Sequence, residues 1–471
     1  MNRDFRGNHA GRVPPRGVRR DISTGCQETA PPFLLYPAAS ARLFILPLMT
    51  ELIGNVLVAQ SGGPTAVINA SVAGVVQEAR KHRCIRHIYG GLNGILGILN
   101  EQLIDLSQES DDTIEGLKHT PAAALGTCRY KIDFKKKPER AAREMDRLFQ
   151  VFQAHDIRFF FYAGGNDSQD TADKTHQEAI KRAYPLRVIG VPKTIDNDLP
   201  HTDHCPGFGS VAKYNACTVM EIAADVSSMA TDDGSCCIIE VMGRSAGWIA
   251  ASTVLAKRHP DDAPHIILLP EIPFNEAAFL DKVKATVKQL RYCIVVVGEG
   301  LKNPDGSEYS ANKSRLDAFG HPVLSGAAER LSEVVYGKLL TKTRSVKLGY
   351  AQRCASHYSS ATDAAEALAC GQAAVRAVVE GKSGFMVKLV RAQGTAYSCA
   401  TALQPLADIA NVEHMLPRDW ISDDGFMPND KFVQYARPLI EGEVQVPTEN
   451  GLPKFAVLKK TLIPQTLPPR K

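Results

Sequence analysis

Ile157-Arg-Phe-Phe-Phe-Tyr-Ala163 runs into Gly164-Gly165-Asn166-Asp167-Ser168 and then into a polar helix expected to begin near Gln169. An apolar run that does not alternate implies a strand covered on both faces. The same order of strand, glycine-rich turn and helix recurs on either side. Asn55-Val-Leu-Val-Ala-Gln-Ser61 leads into Gly62-Gly63-Pro64 and the apolar-periodic stretch from Val67 to Ala79. Leu186-Arg-Val-Ile-Gly-Val191 stops at Pro192. Cys236-Cys-Ile-Ile-Glu-Val-Met242 ends at Gly243, before a helix through Trp248 to Leu255, and Cys293-Ile-Val-Val-Val297 ends at Gly298-Glu299-Gly300. This alternation is the signature of an α/β fold with a mostly parallel sheet. Ligands in such sheets bind at the carboxyl ends of the strands, so each polar cluster after a strand is a site candidate.

The bulk properties exclude several classes. A chain of 471 residues, 44% hydrophobic and 23% charged, can bury a full core in two or three domains. Its 55 basic and 51 acidic residues leave a net charge of +4, too balanced to imply a nucleic-acid or membrane-surface partner. The 11 cysteines form no C-x-x-C pair and read as reduced thiols in a reducing compartment, the cytoplasm. Residues 1–50 are Arg- and Pro-rich to Arg20 and then carry a broken apolar stretch from Pro31 to Met49. Pro37 and Arg42 interrupt the apolar region a signal peptide needs, and an Arg-rich transit peptide is a second alternative. The preferred expectation is a disordered tail, or an upstream start with Met49 beginning the folded protein. No window reaches the roughly 18 apolar residues of a membrane span. After Pro405 the signals weaken into a Pro-interrupted terminus.

Four clusters carry chemistry. Ser61-Gly62-Gly63-Pro64-Thr65 is a phosphate-cradle candidate, since its glycines allow close backbone approach and a helix N-terminus offers free N–H groups. A plain tight turn is the alternative, and no Walker lysine follows. Gly164 to Ser168 repeats the device and adds oxygen ligands suited to a hard cation such as magnesium, against a helix cap by Asp167 or Ser168. Pro192-Lys193-Thr194-Ile195-Asp196-Asn197-Asp198 places a lysine and two carboxylates directly beyond a buried strand. Phosphoryl transfer to a hydroxyl needs a base at the attacking oxygen and cations across the moving group. A solvated Asp/Asn turn is the bland alternative. Met242-Gly243-Arg244, Glu299 and the run Arg344 to Arg353 supply planar cationic forks for a sugar phosphate.

Taken in order, Ser61-Gly-Gly-Pro-Thr, Gly164-Gly-Asn-Asp-Ser, Pro192-Lys-Thr-Ile-Asp-Asn-Asp, Met242-Gly-Arg, Gly298-Glu-Gly and Leu348-Gly-Tyr-Ala-Gln-Arg resemble the phosphofructokinase family across residues 52–405. In ATP-using members the second and third loops look like Gly-Gly-Asp-Gly-Ser and Pro-Gly-Thr-Ile-Asp-Asn-Asp. Asp167 and Lys193 stand at the two variable positions, which is the pattern of the pyrophosphate-dependent branch. The resemblance implies reversible, magnesium-dependent phosphorylation of fructose 6-phosphate to fructose 1,6-bisphosphate in glycolysis and gluconeogenesis, by a homodimer or homotetramer with shared active sites.

The fold so implied is two Rossmann-like domains with mostly parallel, helix-covered sheets. Residues 51–210 with about 354–405 would form a larger donor-binding domain, 211–353 a smaller sugar-phosphate domain, and 406–471 an extension packed on both. Asp196 would accept the proton of the sugar 1-hydroxyl, with Thr194 and Asp198 close by. Lys193 would neutralise charge on pyrophosphate, and Asp167 would take the place of a nucleotide α-phosphate and repel ATP. Gly62, Gly63 and Arg129 would bind pyrophosphate. Thr194, Ile195, Met242, Gly243, Arg244, Glu299, Tyr350 and Arg353 would bind fructose 6-phosphate, with Arg344 reaching its 6-phosphate across a subunit interface. Asn166 is the implied metal contact, offering an amide oxygen where many members have Asp. Tyr350 replaces the His of ATP-dependent members but can still hydrogen-bond a sugar hydroxyl.

Rival readings remain at this point. An ATP-dependent phosphofructokinase is the nearest, and a sugar-phosphate binder without turnover has no need of a base at Asp196. Gly243-Arg-Ser245-Ala-Gly247 fits the G-x-S-x-G elbow of a serine hydrolase, with His321 or His357 as its histidine. His201-Thr-Asp203-His204-Cys205 reads as a polar loop before a metal site. Gly207-Phe-Gly209 is a truncated dinucleotide fingerprint that follows a loop instead of a strand.

Overall fold

The structure, a computed structural model, describes residues 51–471 apart from 317–321, 325, 395, 411 and 471. The expectations for residues 1–50, and His321 of the hydrolase reading, lie outside the described residues. Strands β1 (Gly54–Gln60), β2 (Ile85–Gly91), β3 (Leu103–Asp105), β4 (Ile157–Gly164), β5 (Arg187–Pro192), β6 (Ser235–Val241), β7 (Ile266–Leu268) and β8 (Tyr292–Gly298) fill the first part. Then follow β9 (Ala311–Leu316), β10 (Pro322–Leu324), β11 (Lys342–Lys347), β12 (Phe385–Arg391) and β13 (Cys399–Pro405). The helices are α1 (Ile68–Ala79), α2 (Gly94–Leu99), α3 (Asp111–Gly116), α4 (Pro138–Ala154), α5 (Asn166–Lys181) and α6 (Phe208–Ser228). They continue with α7 (Trp248–Ser252), α8 (Glu276–Leu290), α9 (Ala327–Leu339), α10 (Ala361–Val379) and α11 (Asp430–Ala436).

A seven-stranded sheet runs β13-β12-β5-β4-β1-β2-β3, parallel from β12 to β2 with antiparallel strands at both edges. A four-stranded sheet runs β11-β6-β8-β7, parallel throughout. The non-alternating strands are covered on both sides, as their composition requires. Val56 and Val58 of β1 join one apolar core while Leu57 and Ala59 join another. In the second sheet Cys236 and Ile238 face one core, and Cys237 and Ile239 the other. Each fully buried aliphatic side chain contributes roughly 1.5–3 kcal/mol, so these layers fix the strand order before any polar contact is counted.

The five anticipated strand-to-turn transitions occur within a residue or two of their expected ends. The helix after β4 starts earlier than Gln169, at Asn166, and Gly165 caps it without a side-chain bond. Asp167 and Ser168 therefore lie inside its first turn and not at its cap. The antiparallel hairpin β12–β13 and the polar strand β11 carried no clear signal in the sequence.

Candidate active site

Because both sheets are largely parallel, the loops after β1, β4, β5, β6, β8 and β11 all leave carboxyl ends of strands. Those loops begin at Ser61, Gly165, Lys193, Met242, Glu299 and Leu348. They enclose two cavities. One, of about 480 Å³, is lined by Ile195, Met242, Arg244, Glu299, Lys347, Tyr350 and Arg353. The other, of about 630 Å³, is lined by Ser61, Gly62, Cys128, Tyr130, Asn166, Asp167, Asp198 and Glu413. Gly63, Arg129, Lys193, Thr194 and Asp196 line both. The amine and carboxylate singled out from the sequence thus stand where the two cavities meet.

The loop after β5 is not the solvated turn that its Asp and Asn content allowed. Lys193 is 2% exposed, and Asn197, Leu199 and Cys205 are buried. Asn197 adopts a positive φ of 55°, donates from Nδ2 to Tyr435 Oη at 2.8 Å, and accepts from Cys205 N at 2.9 Å. The next residues are clamped as well. His204 places Nδ1 2.8 Å from Asp203 and Nε2 2.6 Å from Glu366. Burial opposes charge on this imidazole, but the two carboxylates raise it to about 9. His204 is thus a buried imidazolium fastening the loop after β5 to α10. Both ring nitrogens of His204 are taken up by carboxylates, in keeping with a structural polar loop.

Electrostatics at the junction suit proton and phosphoryl transfer. Burial lowers the Lys193 amine to about 8, against the pull of Asp196 and Asp198. Burial, reinforced by Glu299, pushes the Asp196 carboxyl above the usual carboxylate range. Burial and the neighbouring Asp196 do the same to Asp198. Lys193 Nζ donates to Gly63 O at 2.6 Å. A Cβ on Gly62 would sit 3.3 Å from Nζ, and one on Gly63 would sit 2.7 Å from an Arg353 nitrogen. Gly62 is favoured by its positive φ of 75°, whereas at either position the added carbon would crowd only the flexible end of a long side chain.

Helix α1 does not follow them directly. It begins at Ile68, and Val67 N is satisfied by Thr65 Oγ1 at 3.2 Å. Gly62 N donates to Cys128 O at 3.3 Å, so the first loop offers an anion less than the free helix N-terminus its sequence suggested. The start of α5 does face the cavity of about 630 Å³, through Gly165, Asn166, Asp167 and Ser168. There Asp167 pairs with Lys131 at 2.6 Å.

Most of the expected sugar-side residues converge, and two do not. Gly243 lies off the cavity, and its φ of 115° turns the chain so that Met242 and Arg244 enter it. Arg344 is exposed on the edge strand β11 and lines a separate cavity of about 710 Å³ with Asp225 and Cys237. Its strand runs on to Lys347, so Arg344 is kept from the junction within its own chain. Sequence reasoning missed Lys347, Tyr130 and Glu413 as lining residues. Lys347 stood inside the run from Arg344 to Arg353 and could have been found there. Glu413 lies where periodicity is absent, and only the fold brings it in.

The rival motifs resolve on geometry. Asp363 accepts from Gly207 N at 2.8 Å and Ser210 N at 2.9 Å, so the start of α6 is filled by a protein carboxylate and has no place for a dinucleotide phosphate. His357 packs between the rings of Tyr214 and Tyr358.

Two cavities that meet at the Asp196 carboxylate and the buried Lys193 amine suit an enzyme that moves a group from one molecule to another. The phosphofructokinase family model matches residues 55–378, and the chain belongs to that family. It is 46% identical over 415 residues to the pyrophosphate–fructose 6-phosphate 1-phosphotransferase of Halomonas elongata, covering 88% of this chain and 98% of that one. Over 416 residues it is 45% identical to the enzyme of the same name from Xanthomonas campestris, with 88% and 98% covered. The crystal structure of a pyrophosphate-dependent phosphofructokinase from Marinobacter aquaeolei superposes with a TM-score of 0.80 at 45% identity, covering 89% of this chain and all of that one.

Proposed function

We propose that this chain transfers a phosphoryl group from pyrophosphate to the 1-hydroxyl of fructose 6-phosphate, giving fructose 1,6-bisphosphate and phosphate. The observation that carries the reading is the meeting of the two cavities at Lys193 and Asp196. The cavity containing Arg244, Glu299, Tyr350 and Arg353 takes the sugar phosphate. The cavity containing Gly62, Asn166 and Asp167 takes the donor. Asp196 accepts the hydroxyl proton, and its raised carboxyl is matched to proton transfer near neutral pH. Lys193 and Arg129 face both cavities and stabilise charge on the phosphoryl group in flight. A bound magnesium ion would neutralise pyrophosphate charge, and the buried, unpartnered Oδ1 of Asp198 fits it as a ligand. Asp167 turns away a nucleotide, whose α-phosphate would meet its carboxylate.

The larger, donor-binding domain follows the seven-stranded sheet (residues 51–210 with 354–405), and the smaller follows the four-stranded sheet (211–353), with 406–471 packed on both. The enzyme works as a homodimer or homotetramer, in which Arg344 on the exposed strand β11 reaches the sugar phosphate of a neighbouring subunit. The free thiols support a cytoplasmic location. Among the described residues no helix is long and apolar enough to cross a membrane. Coupled assays with fructose 6-phosphate and magnesium should give turnover with pyrophosphate and none with ATP. Turnover with ATP alone would transfer the reading to the nucleotide branch, and turnover with neither donor would leave a binding protein.

A further inference from the structure

Residues 412–416 form a strap that meets the donor cavity at Glu413 and is tied on both sides of that residue. On one side Asn166 Nδ2 donates to Val412 O. On the other, His414 N donates to Asp198 O at 2.8 Å, and His414 O accepts from Trp248 Nε1 at 2.8 Å. With its neighbours held, Glu413 lines the cavity together with Asp198. Asp198 Oδ1 is buried there with no hydrogen-bond partner.

A buried carboxylate oxygen left unpaired costs free energy unless a ligand completes it. Here two carboxylates face a cavity whose occupant, under the reading above, is itself a polyanion. Without a cation between them the three would repel one another. Magnesium prefers one or two carboxylates with substrate phosphates and water supplying the rest of its shell. That preference agrees with the finding that, among the described residues, no three-ligand protein cluster exists.

The amide at 166 explains why the second carboxylate comes from so far along the chain. A donor is needed there to hold Val412 O, and an ionised Asp has none. Position 166 can anchor the strap or offer a carboxylate, but not both.

We propose that Glu413, delivered by the strap that Asn166 anchors, joins Asp198 in receiving the divalent cation of the metal–pyrophosphate complex. The inference rests on the pyrophosphate reading, and its test separates the two.

Manganese with pyrophosphate, in the absence of sugar, is titrated against the full chain and followed by the manganese EPR signal. Fructose 6-phosphate binding is measured calorimetrically on the same samples. Glu413→Gln should weaken manganese–pyrophosphate binding by about 10–100-fold and leave fructose 6-phosphate binding unchanged. Asn166→Asp should also weaken it, although it adds a carboxylate, because the strap is released. Wild-type affinity in Glu413→Gln, or tighter binding in Asn166→Asp, would overturn the proposal. Equal loss of sugar affinity in both variants would give Glu413 a purely structural part and overturn it too. If the wild-type chain itself binds no manganese–pyrophosphate, the donor reading fails first and takes this inference with it.

Discussion

Lys193 is a cation held where water barely reaches, and its amine stands at about 8 because burial disfavours the charged form. Under the proposed mechanism the amine is protonated to receive pyrophosphate, while Asp196 is ionised to take the hydroxyl proton. Their requirements run in opposite directions with pH. Activity should rise as Asp196 loses its proton, at a pH above the ordinary carboxylate range, and fall again as Lys193 loses its own near 8. In kcat/KM, which reports the free enzyme, the alkaline limb should therefore lie near 8. It should move upward in kcat, because a bound polyanion favours the charged amine. Lys193→Arg keeps a cation that does not titrate in this range, so its residual kcat/KM should retain the acid limb and lose the alkaline one. Ionisation of the substrates is common to both enzymes and cancels in the comparison. An unchanged alkaline limb would remove Lys193 from this role.

Among the elements, the loop from Lys193 to Gly207 shows most clearly how a polar segment is kept in one conformation. Its far end is fixed by His204 between Asp203 and Glu366. Removing one partner from a buried ionic cluster costs roughly 3–5 kcal/mol, so His204→Ala should lower unfolding stability on that scale in denaturant titrations at pH 7. The folded imidazole is raised to about 9, above its unfolded value of about 6.5. Its contribution is thus complete below about 6.5 and is lost as pH rises through about 9. Wild-type stability should decline across that window and the His204→Ala variant should show a flatter profile; parallel profiles would contradict the assignment.

The same scale shows what the sequence could convey. β1, β4, β5, β6 and β8 were legible because continuous apolar runs stop at glycine or proline. β11 was not, since Lys342-Thr-Arg-Ser-Val-Lys347 is an exposed edge strand whose composition answers to solvent and not to a core. The start of α5 was misplaced because Asp167 and Ser168 resemble caps while the backbone had already turned helical at Asn166. Lys193, Asp196 and Arg244 were found because they sit immediately after legible strands. Glu413 was missed because its position depends on hydrogen bonds to Asn166, Asp198 and Trp248, none of which is near it in sequence.

For the whole molecule, the placement of Arg344 carries the largest consequence. It sits on an exposed sheet edge, away from the junction that its guanidinium is expected to serve. If sites are shared, Arg344→Ala and Asp196→Ala chains, each nearly inactive alone, should regain about a quarter of wild-type activity when co-expressed and randomly paired as dimers. No recovery would confine each site to one chain. The account as a whole depends on donor choice being set where Lys193 and Asp167 shape a cavity for two linked phosphates. The most direct measurement is the ratio of kcat/KM for ATP to that for pyrophosphate, in the wild type and in Asp167→Gly combined with Lys193→Gly. The wild type should use pyrophosphate alone, and the double variant should lose on the order of 10²–10³ with pyrophosphate while acquiring measurable ATP binding and a ratio shifted toward ATP. A double variant that still excludes the nucleotide, or that keeps full pyrophosphate activity, would contradict it.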